Sequence, residues 1–407
     1  MQRPRPRQHV LRYAVLLAVL AGCAAPSAGG SSESAAGAAA SPNPVTAAGR
    51  TAPAGAASSS AMSSTATTPA PAPTVTPGSP GAVPGGLTIA FGGDIHFEGR
   101  VGRLLDGDDG LSELRATLGA ADLAVVNLET AITDRGVPQP KIYHFRTTPK
   151  ALTTLASAGV DVVSMANNHS VDFGPDGLVD TLAARDASPV PVVGIGRNAA
   201  DAFAPAVVTV RGLRVAVIAS TQINDYTVNT FPATATAPGV AGNLRNDRLL
   251  QAVKAARATS DVLVVFLHWG TDYTTCPDRA QVATATAMAA AGADVVVGSH
   301  AHRIQGSGWL GSTFVGYGLG NFVWLNTRGE ADTRSGVLTV TVDEAAVRAR
   351  AALPPNQWST QKSVVVAQDY APMRVSDDGI PRRPADADVL TAAWEQARSC
   401  ARLRSHP

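Results

Sequence analysis

Short apolar runs rich in Val and Ile recur along the chain, and Ala- and Leu-rich stretches separate them. Uninterrupted apolar runs of this length are typical of strands buried on both faces. The predicted strands are 87–92, 122–127, 161–165, 190–195, 213–219, 261–267 and 294–298. The predicted helices are about 100–118, 149–158, 175–186, 246–259 and 279–291. This alternation of strand and helix favours a layered α/β fold.

The pattern changes after Thr313, where apolar runs follow one another with little predicted helix between them. The runs at 313–317, 322–324, 336–342 and 363–368 predict further strands. An alternating half and a strand-rich half together predict a sandwich of sheets with helices outside. We therefore assign 87–345 to one domain and 346–407 to C-terminal strands and a tail packed on it. The sequence shows no internal repeat.

The N-terminal segment has the pattern of an export signal. Four arginines up to Arg12 precede a nine-residue apolar run at 13–21, which is too short to span a bilayer. The run leads into Leu20-Ala21-Gly22-Cys23, which resembles a bacterial lipobox. The resemblance implies removal of 1–22, acylation of Cys23, and an extracytoplasmic protein anchored to the cell membrane by lipid. An ordinary signal peptide with an incidental cysteine is the alternative.

Residues 23–86 are mostly Ala, Ser, Thr, Gly and Pro, with almost no charge. Such a composition offers too little apolar surface to offset the entropy of ordering the chain. Mixed Pro and Gly give a linker both flexible and extended character. The segment is therefore predicted to be a disordered tether between the membrane and the domain.

Charge and cysteine content narrow the functional classes. Lys and Arg number 33 against 32 Asp and Glu, aromatic residues are few, and there is no basic stripe, so nucleic-acid binding is not expected. Beyond Cys23 only Cys276 and Cys400 remain. Two thiols outside the cytoplasm tend to pair, and such a disulfide would tie the tail to the domain. Two free buried thiols are the alternative.

Polar residues stand where the predicted buried strands end, which is the edge where open α/β sheets bind ligands. The first strand leads into Asp94 and His96, two residues apart, whose side chains can face one point. A carboxylate and an imidazole suit Zn, Mn or Fe. A turn Asp beside a solvent-exposed His is the alternative.

The next two strands end in similar clusters. Glu129 follows the second strand, where an acid favoured by a helix N-terminus is the alternative. The third strand is followed by Asn167, Asn168 and His169. Amides and an imidazole at the end of a buried strand are costly unless each is paired. A purely structural hydrogen-bonded cluster competes with a functional site at this position.

Histidines mark the last two strand ends. A single His such as His268 after a strand is more often a core residue than a ligand. The His300-Ala301-His302 pair is a stronger metal signal, because both imidazoles lie on one side of a short extended segment. The chain has 8 His, and five of them lie at these strand ends: His96, His169, His268, His300 and His302.

The loop around Lys141, His144 and Arg146 carries positive charge and could reach the same edge to meet an anionic substrate. An ordinary solvated loop is the alternative for these residues.

The motifs taken in order are Gly-Asp-x-His, Asn-Leu-Glu, Asn-Asn-His, His-Trp-Gly, Gly-Ser-His-x-His and Gly-Leu-Gly-Asn-Phe. This series resembles the CapA type of capsule synthesis proteins, also called poly-γ-glutamate synthesis proteins, over about 87–330. That family is similar to calcineurin-like metallophosphoesterases. The resemblance implies a four-layer αββα sandwich with two divalent metal ions (Mn, Zn or Fe) at one edge of the sheets.

The resemblance also implies roles for individual residues. The implied metal ligands are Asp94, His96 and His302 for one ion, Asn168, His268 and His300 for the other, and Glu129 with Asp94 as shared carboxylates. Glu129 stands where the phosphoesterases commonly carry Asp, and its longer reach leaves binding of one ion only as an alternative. His169 is the implied general acid, supported by Asp172, for which a helix or turn cap is the alternative. The candidates for substrate contact are Lys141, Arg146, Asn127 and Asn321.

Three functions follow from these observations. The first is an assembly factor that handles an anionic polymer such as poly-γ-glutamate, together with a membrane-bound polymer synthase. The second is a metal-dependent hydrolase of phosphoesters or of the polymer's amide bonds. The third is a metal-free scaffold, which the five histidines at one edge argue against. The first two are compatible with one another.

Overall fold

The computed structural model describes residues 86–325, 329–354, 357–358 and 361–407. The predicted signal peptide, the lipidation site Cys23 and the tether up to residue 85 lie outside the described residues. Among the helices of the described part, none combines the length and the apolar character that a membrane crossing requires.

The described chain forms strands and helices in close alternation. The strands are β1 (Leu87–Ile95), β2 (Leu123–Leu128), β3 (Ala131–Ile132), β4 (Arg146–Thr147), β5 (Val162–Ser164), β6 (Val192–Val193), β7 (Ile195–Gly196), β8 (Ala206–Val210), β9 (Leu213–Thr221), β10 (Gly239–Val240), β11 (Val262–Trp269), β12 (Val295–His300), β13 (Ser307–Leu310), β14 (Thr313–Gly316), β15 (Asn321–Val323), β16 (Arg334–Val342), β17 (Val365–Val375) and β18 (Pro381–Arg382). The helices are α1 (Arg115–Leu118), α2 (Lys150–Ser157), α3 (Gly174–Asp186), α4 (Ala199–Ala202), α5 (Tyr226–Thr230), α6 (Asp247–Arg257), α7 (Arg279–Ala290), α8 (Glu330–Thr333), α9 (Glu344–Ala351) and α10 (Ala387–Ala401).

Two large sheets organise these strands. The first has the order β18-β17-β16-β1-β2-β5-β6, with β15 pairing alongside β1. Its half from β1 to β6 is parallel, and β16 and β17 add antiparallel strands to it. The second sheet has the order β13-β14-β12-β11-β9-β8, with a parallel centre and an antiparallel pair at each edge. Residues 346–407 thus contribute two strands to the first sheet.

Alternating side chains of the central strands build three apolar layers. Ile89, Val217 and Val264 belong to the core between the two sheets. Val126 packs in a second core that includes Leu152 of α2 and Leu178 of α3, on the outer face of the first sheet. A third core joins Leu263 to α6 and α7 on the outer face of the second sheet. Helices therefore cover both outer faces, which confirms the predicted four-layer αββα sandwich.

The structure corrects some of the predicted elements. The helix predicted over 100–118 is interrupted: short 3-10 helices at Gly99–Leu105 and Ser112–Leu114 precede α1. The Asp106–Gly110 stretch contains two glycines, which disfavour a continuous helix. The sequence predicted little helix between the strands that follow Thr313, whereas the structure has α8 and α9 there. The helix α10, which runs for 15 residues beyond those strands, was not predicted. The strand β8 was not predicted, since it is a half-exposed edge strand without a continuous buried run.

Candidate metal centre

The polar clusters of the sequence meet at one edge of the sandwich. Asp94 lies near the end of β1, and Glu129 directly follows β2. His268 and His300 lie at the ends of β11 and β12 in the facing sheet. Because the strands within each of these pairs are parallel, their carboxyl ends lie together, and the structure brings the two sets of side chains into contact.

A close backbone approach fixes the position of Asp94. A Cβ at Gly93 would lie 1.9 Å from the carbonyl oxygen of Gly320, so only glycine fits there. The Asp94 N–H donates to that same carbonyl at 3.0 Å. The carboxylate accepts from Asn127 Nδ2 at 2.8 Å and from the backbone N–H of His300 at 2.9 Å. Asn127 is completely buried, so it orients Asp94 and does not line the cavity as a substrate residue would.

Glu129 is the least compensated buried group of the site. Its side chain is fully buried, and among the described residues neither carboxylate oxygen has a hydrogen-bond partner. Burial, together with repulsion from Asp94, raises the pKa of Glu129 to about 8. A buried carboxylate without a partner is costly in free energy. A bound cation would supply the missing partner.

Two groups of possible ligands share Glu129. Its carboxylate forms one group with His268 and His300, and a second with Asp94 and His302. In each group the candidate ligand atoms lie within 4.8 Å of one another. Asn168 adjoins the first group, since its Oδ1 is 2.8 Å from His268 Nε2. Imidazole nitrogens with carboxylate and amide oxygens fit a divalent transition metal.

The buried histidines are held in the form that binds metals. Burial lowers the pKa of His268 to about 4, against attraction from Asp94. Burial and the neighbouring His268 and His302 hold the pKa of His300 well below its ordinary value. Neutral imidazoles offer a lone pair to a metal near neutral pH, which charged imidazoles cannot do.

The backbone at the His-x-His segment is strained. His300 has φ of 92° and His302 has φ of 51°, a region that residues other than glycine rarely adopt. Such conformations cost about 1–3 kcal/mol each and persist where surrounding contacts impose them. Here the His300 N–H donates to Asp94, and the Ala301 carbonyl accepts from Tyr273 N at 2.8 Å. These contacts hold both imidazoles toward the centre.

His169 and Asp172 form a buried pair beside Glu129. His169 Nδ1 lies 2.7 Å from Asp172 Oδ2, and His169 Nε2 lies 3.7 Å from Glu129 Oε1. A carboxylate accepts, so the proton on Nδ1 faces Asp172 and Nε2 faces the centre. Asp172 also pairs with Lys141 Nζ at 2.9 Å. The helix-cap alternative for Asp172 is wrong, because the N-cap residue of α3 is Phe173.

The role of His96 as a metal ligand stays a prediction. This residue belongs to neither of the two ligand groups. Its Nδ1 accepts from the Glu98 N–H at 3.1 Å, and its ring stacks on Phe145 at 4.5 Å between centroids. His96 therefore forms part of the cavity wall, because the backbone amide and the aromatic stack hold its ring there.

A cavity of about 470 Å³ opens over the two ligand groups. Its walls are largely aromatic and apolar, with Tyr143, Phe145, Tyr273 and Trp324 among its lining residues. Lys141 also lines it, but its ammonium is paired with Asp172 and with Asp225 at 3.3 Å. The described lining thus presents little uncompensated positive charge.

The other predicted substrate residues lie in different places. Asn321 lines the cavity, and its Oδ1 is 2.7 Å from His302 Nδ1, so it also orients that ligand. Arg146, which was predicted to contact substrate, lies outside the cavity lining, with its guanidinium over the Phe173 ring at 3.7 Å. His144 is likewise outside the lining, with Nε2 2.6 Å from the Gln139 carbonyl oxygen.

Sequence reasoning missed two residues of the loop that follows β11. Asp272 Oδ1 lies 3.1 Å from His300 Nε2, and the Tyr273 ring stacks on His302 at 5.8 Å between centroids. A signal was present, because both residues come shortly after the His268-Trp269-Gly270 motif. Their direction depends on the loop's conformation, which strand periodicity does not specify.

The two cysteines of the domain are bonded to each other. Cys276, in the loop between β11 and α7, forms a disulfide with Cys400 of α10, with an S–S distance of 2.20 Å. Both residues are exposed, so the alternative of two free buried thiols is wrong. The bond ties the C-terminal helix to the loop that carries Asp272.

Comparisons with known proteins agree with the motif series. The model of the family "Bacterial capsule synthesis protein PGA_cap" matches residues 88–325. The chain is 29% identical over 254 residues to the PGA biosynthesis protein CapA of Bacillus subtilis, covering 60% of this chain and 66% of that protein. It is 34% identical over 199 residues to the capsule biosynthesis protein CapA of Bacillus anthracis, covering 47% of each. The aligned parts are thus less than two thirds of these curated relatives.

Among solved structures, the chain is similar to a calcineurin-like phosphoesterase of Bacillus subtilis. The TM-score is 0.42 at 12% identity, and the match covers 77% of this chain and 97% of that one. A TM-score below 0.5 is a loose likeness.

Proposed function

The chain belongs to the bacterial capsule synthesis protein family PGA_cap, and on that premise we propose that it handles an anionic polymer of the poly-γ-glutamate type and hydrolyses its amide bonds at a dinuclear metal centre. The observation that carries the metal centre is Glu129, which belongs to both ligand groups and has two buried oxygens without partners among the described residues. The polymer assignment rests on the family and on the printed names of the relatives.

The ligand groups divide the residues between two ions. Asp94, Glu129 and His302 would hold one ion. Glu129, His268, His300 and Asn168 would hold the other. Mn, Zn and Fe suit this mixture of nitrogen and oxygen ligands. Two such ions supply hydroxide near neutral pH and stabilise charge on the attacked group.

The protein's own part in the reaction centres on His169. Its Nε2 faces the centre, where it would donate a proton to the leaving amine nitrogen as the amide bond breaks. Asp172 accepts from Nδ1 at 2.7 Å, which fixes the tautomer and stabilises the protonated ring. Lys141 pairs with the other oxygen of Asp172 and holds that carboxylate in place.

The cavity wall suits a polymer whose charged groups are separated by apolar segments. Phe145 and Trp324 offer surfaces on which methylene groups of γ-linked glutamyl units would pack. Among the described residues, the cations near the centre are compensated: Lys141 pairs with Asp172, and Arg303 pairs with Asp332. The two ions would therefore carry most of the attraction for a substrate carboxylate.

We also propose that the protein acts outside the cytoplasm, held to the membrane by acylated Cys23 and close to a membrane-bound polymer synthase. The Cys276–Cys400 disulfide supports an oxidising compartment, because such bonds persist mainly outside the cytoplasm. The lipobox-like residues before Cys23 supply the anchoring part of the proposal.

Substrate class is tested by comparing two substrates with metal-loaded protein. We expect poly-γ-glutamate to be cut to shorter chains, and a simple aryl phosphodiester to be hydrolysed slowly or not at all. Chain length is measured by size-exclusion chromatography with light scattering, and Glu129→Gln protein serves as the inactive control. Rapid cleavage of the phosphodiester with an intact polymer would contradict the amide assignment and favour a phosphodiesterase.

A further inference from the structure

We infer that Asp272 is a positioning residue of the metal centre, and that the Cys276–Cys400 disulfide holds in place the loop that carries it. The inference rests on the proposed dinuclear centre. It assigns a role to a carboxylate outside both ligand groups and to a cross-link on the surface.

The contact between Asp272 and His300 sets which imidazole nitrogen faces the centre. His300 Nε2 lies 3.1 Å from Asp272 Oδ1, and His300 Nδ1 lies 3.1 Å from His268 Nε2. A carboxylate can only accept, so a proton on His300 Nε2 would face Asp272 and would leave the lone pair of Nδ1 toward the position of the second ion. An acidic partner on the far nitrogen also raises the basicity of a ligating imidazole and fixes its ring.

Asp272 has little other structural work in the described part of the chain. Its side chain is 52% exposed, whereas that of His300 is 10% exposed. A half-exposed carboxylate gains little stability from a surface ion pair. Its position against a buried, strained histidine therefore points to a role in holding that histidine.

The loop from Gly270 to Asp278 packs against the segment that carries the ligands. Tyr273 N donates to the Ala301 carbonyl at 2.8 Å, and the Thr274 carbonyl accepts from Gln305 Nε2 at 3.1 Å. The Tyr273 ring stacks on His302. Movement of this loop would displace Asp272 together with contacts to both histidines of the His-x-His segment.

The disulfide fastens this loop to a helix that is itself anchored. Cys276 lies four residues after Asp272 and is bonded to Cys400 of α10. Trp394 of α10 stacks on Tyr370 of β17 at 4.7 Å between ring centroids, and Arg398 Nε donates to the Ser307 carbonyl at 2.8 Å. The bond therefore couples the position of the Asp272 loop to the first sheet and to β13.

Calorimetric titration of Mn²⁺ into metal-free full-length protein tests the inference. All proteins carry Cys23→Ser, so that lipid does not interfere. We expect Asp272→Asn to weaken one of the two binding events by about 10- to 100-fold and to leave the other unchanged. Asp272→Glu should restore most of the affinity. The matched control is Asp109→Asn, which should bind as the parent does. Asp109 is an exposed acid in the segment before α1, distant from Asp272 in the sequence.

The Cys276→Ser/Cys400→Ser variant is expected to weaken the same binding event, to a smaller extent than Asp272→Asn. Thermal unfolding of the metal-free proteins separates positioning from folding, and Asp272→Asn should unfold at the parent's temperature.

Two unchanged binding events in Asp272→Asn would overturn the positioning role while leaving the dinuclear centre intact. Loss of both events together with a lower unfolding temperature would make Asp272 structural instead. A disulfide variant that binds like the parent would overturn the role of the cross-link. Absence of binding in the parent would contradict the proposed centre itself.

Discussion

Replacing Glu129 with Gln is expected to abolish tight binding of both metal ions while leaving the metal-free protein at least as stable as the parent. The carboxylate belongs to both ligand groups, so one substitution removes a ligand from each ion. The same carboxylate is buried, and without metal it has no hydrogen-bond partner among the described residues. A neutral amide at this position removes the cost of a buried charge and keeps the volume of the side chain.

The pKa of Glu129 gives this stability effect a pH dependence. In the folded metal-free protein the pKa is about 8, against an ordinary value of 4.5, because of burial and the charge of Asp94. Between these pH values the folded protein holds a proton that the unfolded chain releases. The group's contribution to stability is therefore complete below pH 4.5 and is lost as the pH rises through 8. Glu129→Gln does not titrate, so its advantage over the parent should grow from pH 5 to pH 8.

Urea unfolding in the presence of chelator at pH 5 and pH 8 measures the stability effect, and metal titration measures the binding effect. The matched control is Glu113→Gln, an exposed carboxylate paired with Arg382, which should keep both metal ions. Two tightly bound ions in Glu129→Gln would show that Glu129 is not a shared ligand. A large loss of stability in the metal-free variant would show instead that the carboxylate holds the fold together.

Replacing His169 with Asn is expected to slow polymer cleavage by about 10²- to 10⁴-fold without loss of metal, which is the usual contribution of a general acid. His169 lies outside both ligand groups, and its Nε2 is 3.7 Å from Glu129 Oε1. The substitution removes the proton donor and leaves the ligands. The measurement is kcat with metal content determined on the same preparation.

His144→Asn provides the matched control for His169, because the His144 ring is hydrogen-bonded to the Gln139 carbonyl oxygen and lies outside the cavity lining. An activated amide whose leaving group needs no proton gives a second check. The defect of His169→Asn should shrink markedly on that substrate. An equal defect on both substrates, or loss of metal in the variant, would contradict the role of general acid.

Periodicity predicted most of the fold because both sheets are built from continuous apolar strands. Apolar runs end near Asp94, His268 and His300. The rule that parallel strands end at a common edge was enough to predict where these side chains lie. The helix α10 was missed, although its Leu390 and Trp394 are buried against the sheets.

The positions of ligands that directly follow a strand could be predicted. The positions of side chains whose direction depends on a loop could not. Glu129, Asn168 and the three histidines of the second sheet came together as expected from the motif series. Arg146 is on β4, whose pairing with β3 directs it toward Phe173. His96 is one residue beyond β1, where contacts with Glu98 and Phe145 turn its ring into the cavity wall.

The contact of Asp272 with His300 likewise could not be predicted from the strand pattern. Its carboxylate meets His300 only because the loop after β11 folds back on Ala301 and is fastened at Cys276. The cysteine count predicted the partner of Cys276, but the backbone contact with Ala301 does not follow from local sequence. The positions of such loop side chains therefore depend on contacts between loops that are distant in the chain, which the strand pattern does not specify.

The most direct test of the dinuclear centre is the number of metal ions per chain. Full-length protein carrying Cys23→Ser is purified without chelator, and its metal content is measured by inductively coupled plasma mass spectrometry. The shared carboxylate of Glu129 predicts two transition-metal ions per chain. Protein that holds no metal, even after incubation with Mn²⁺ or Zn²⁺ and removal of the excess, would contradict the account.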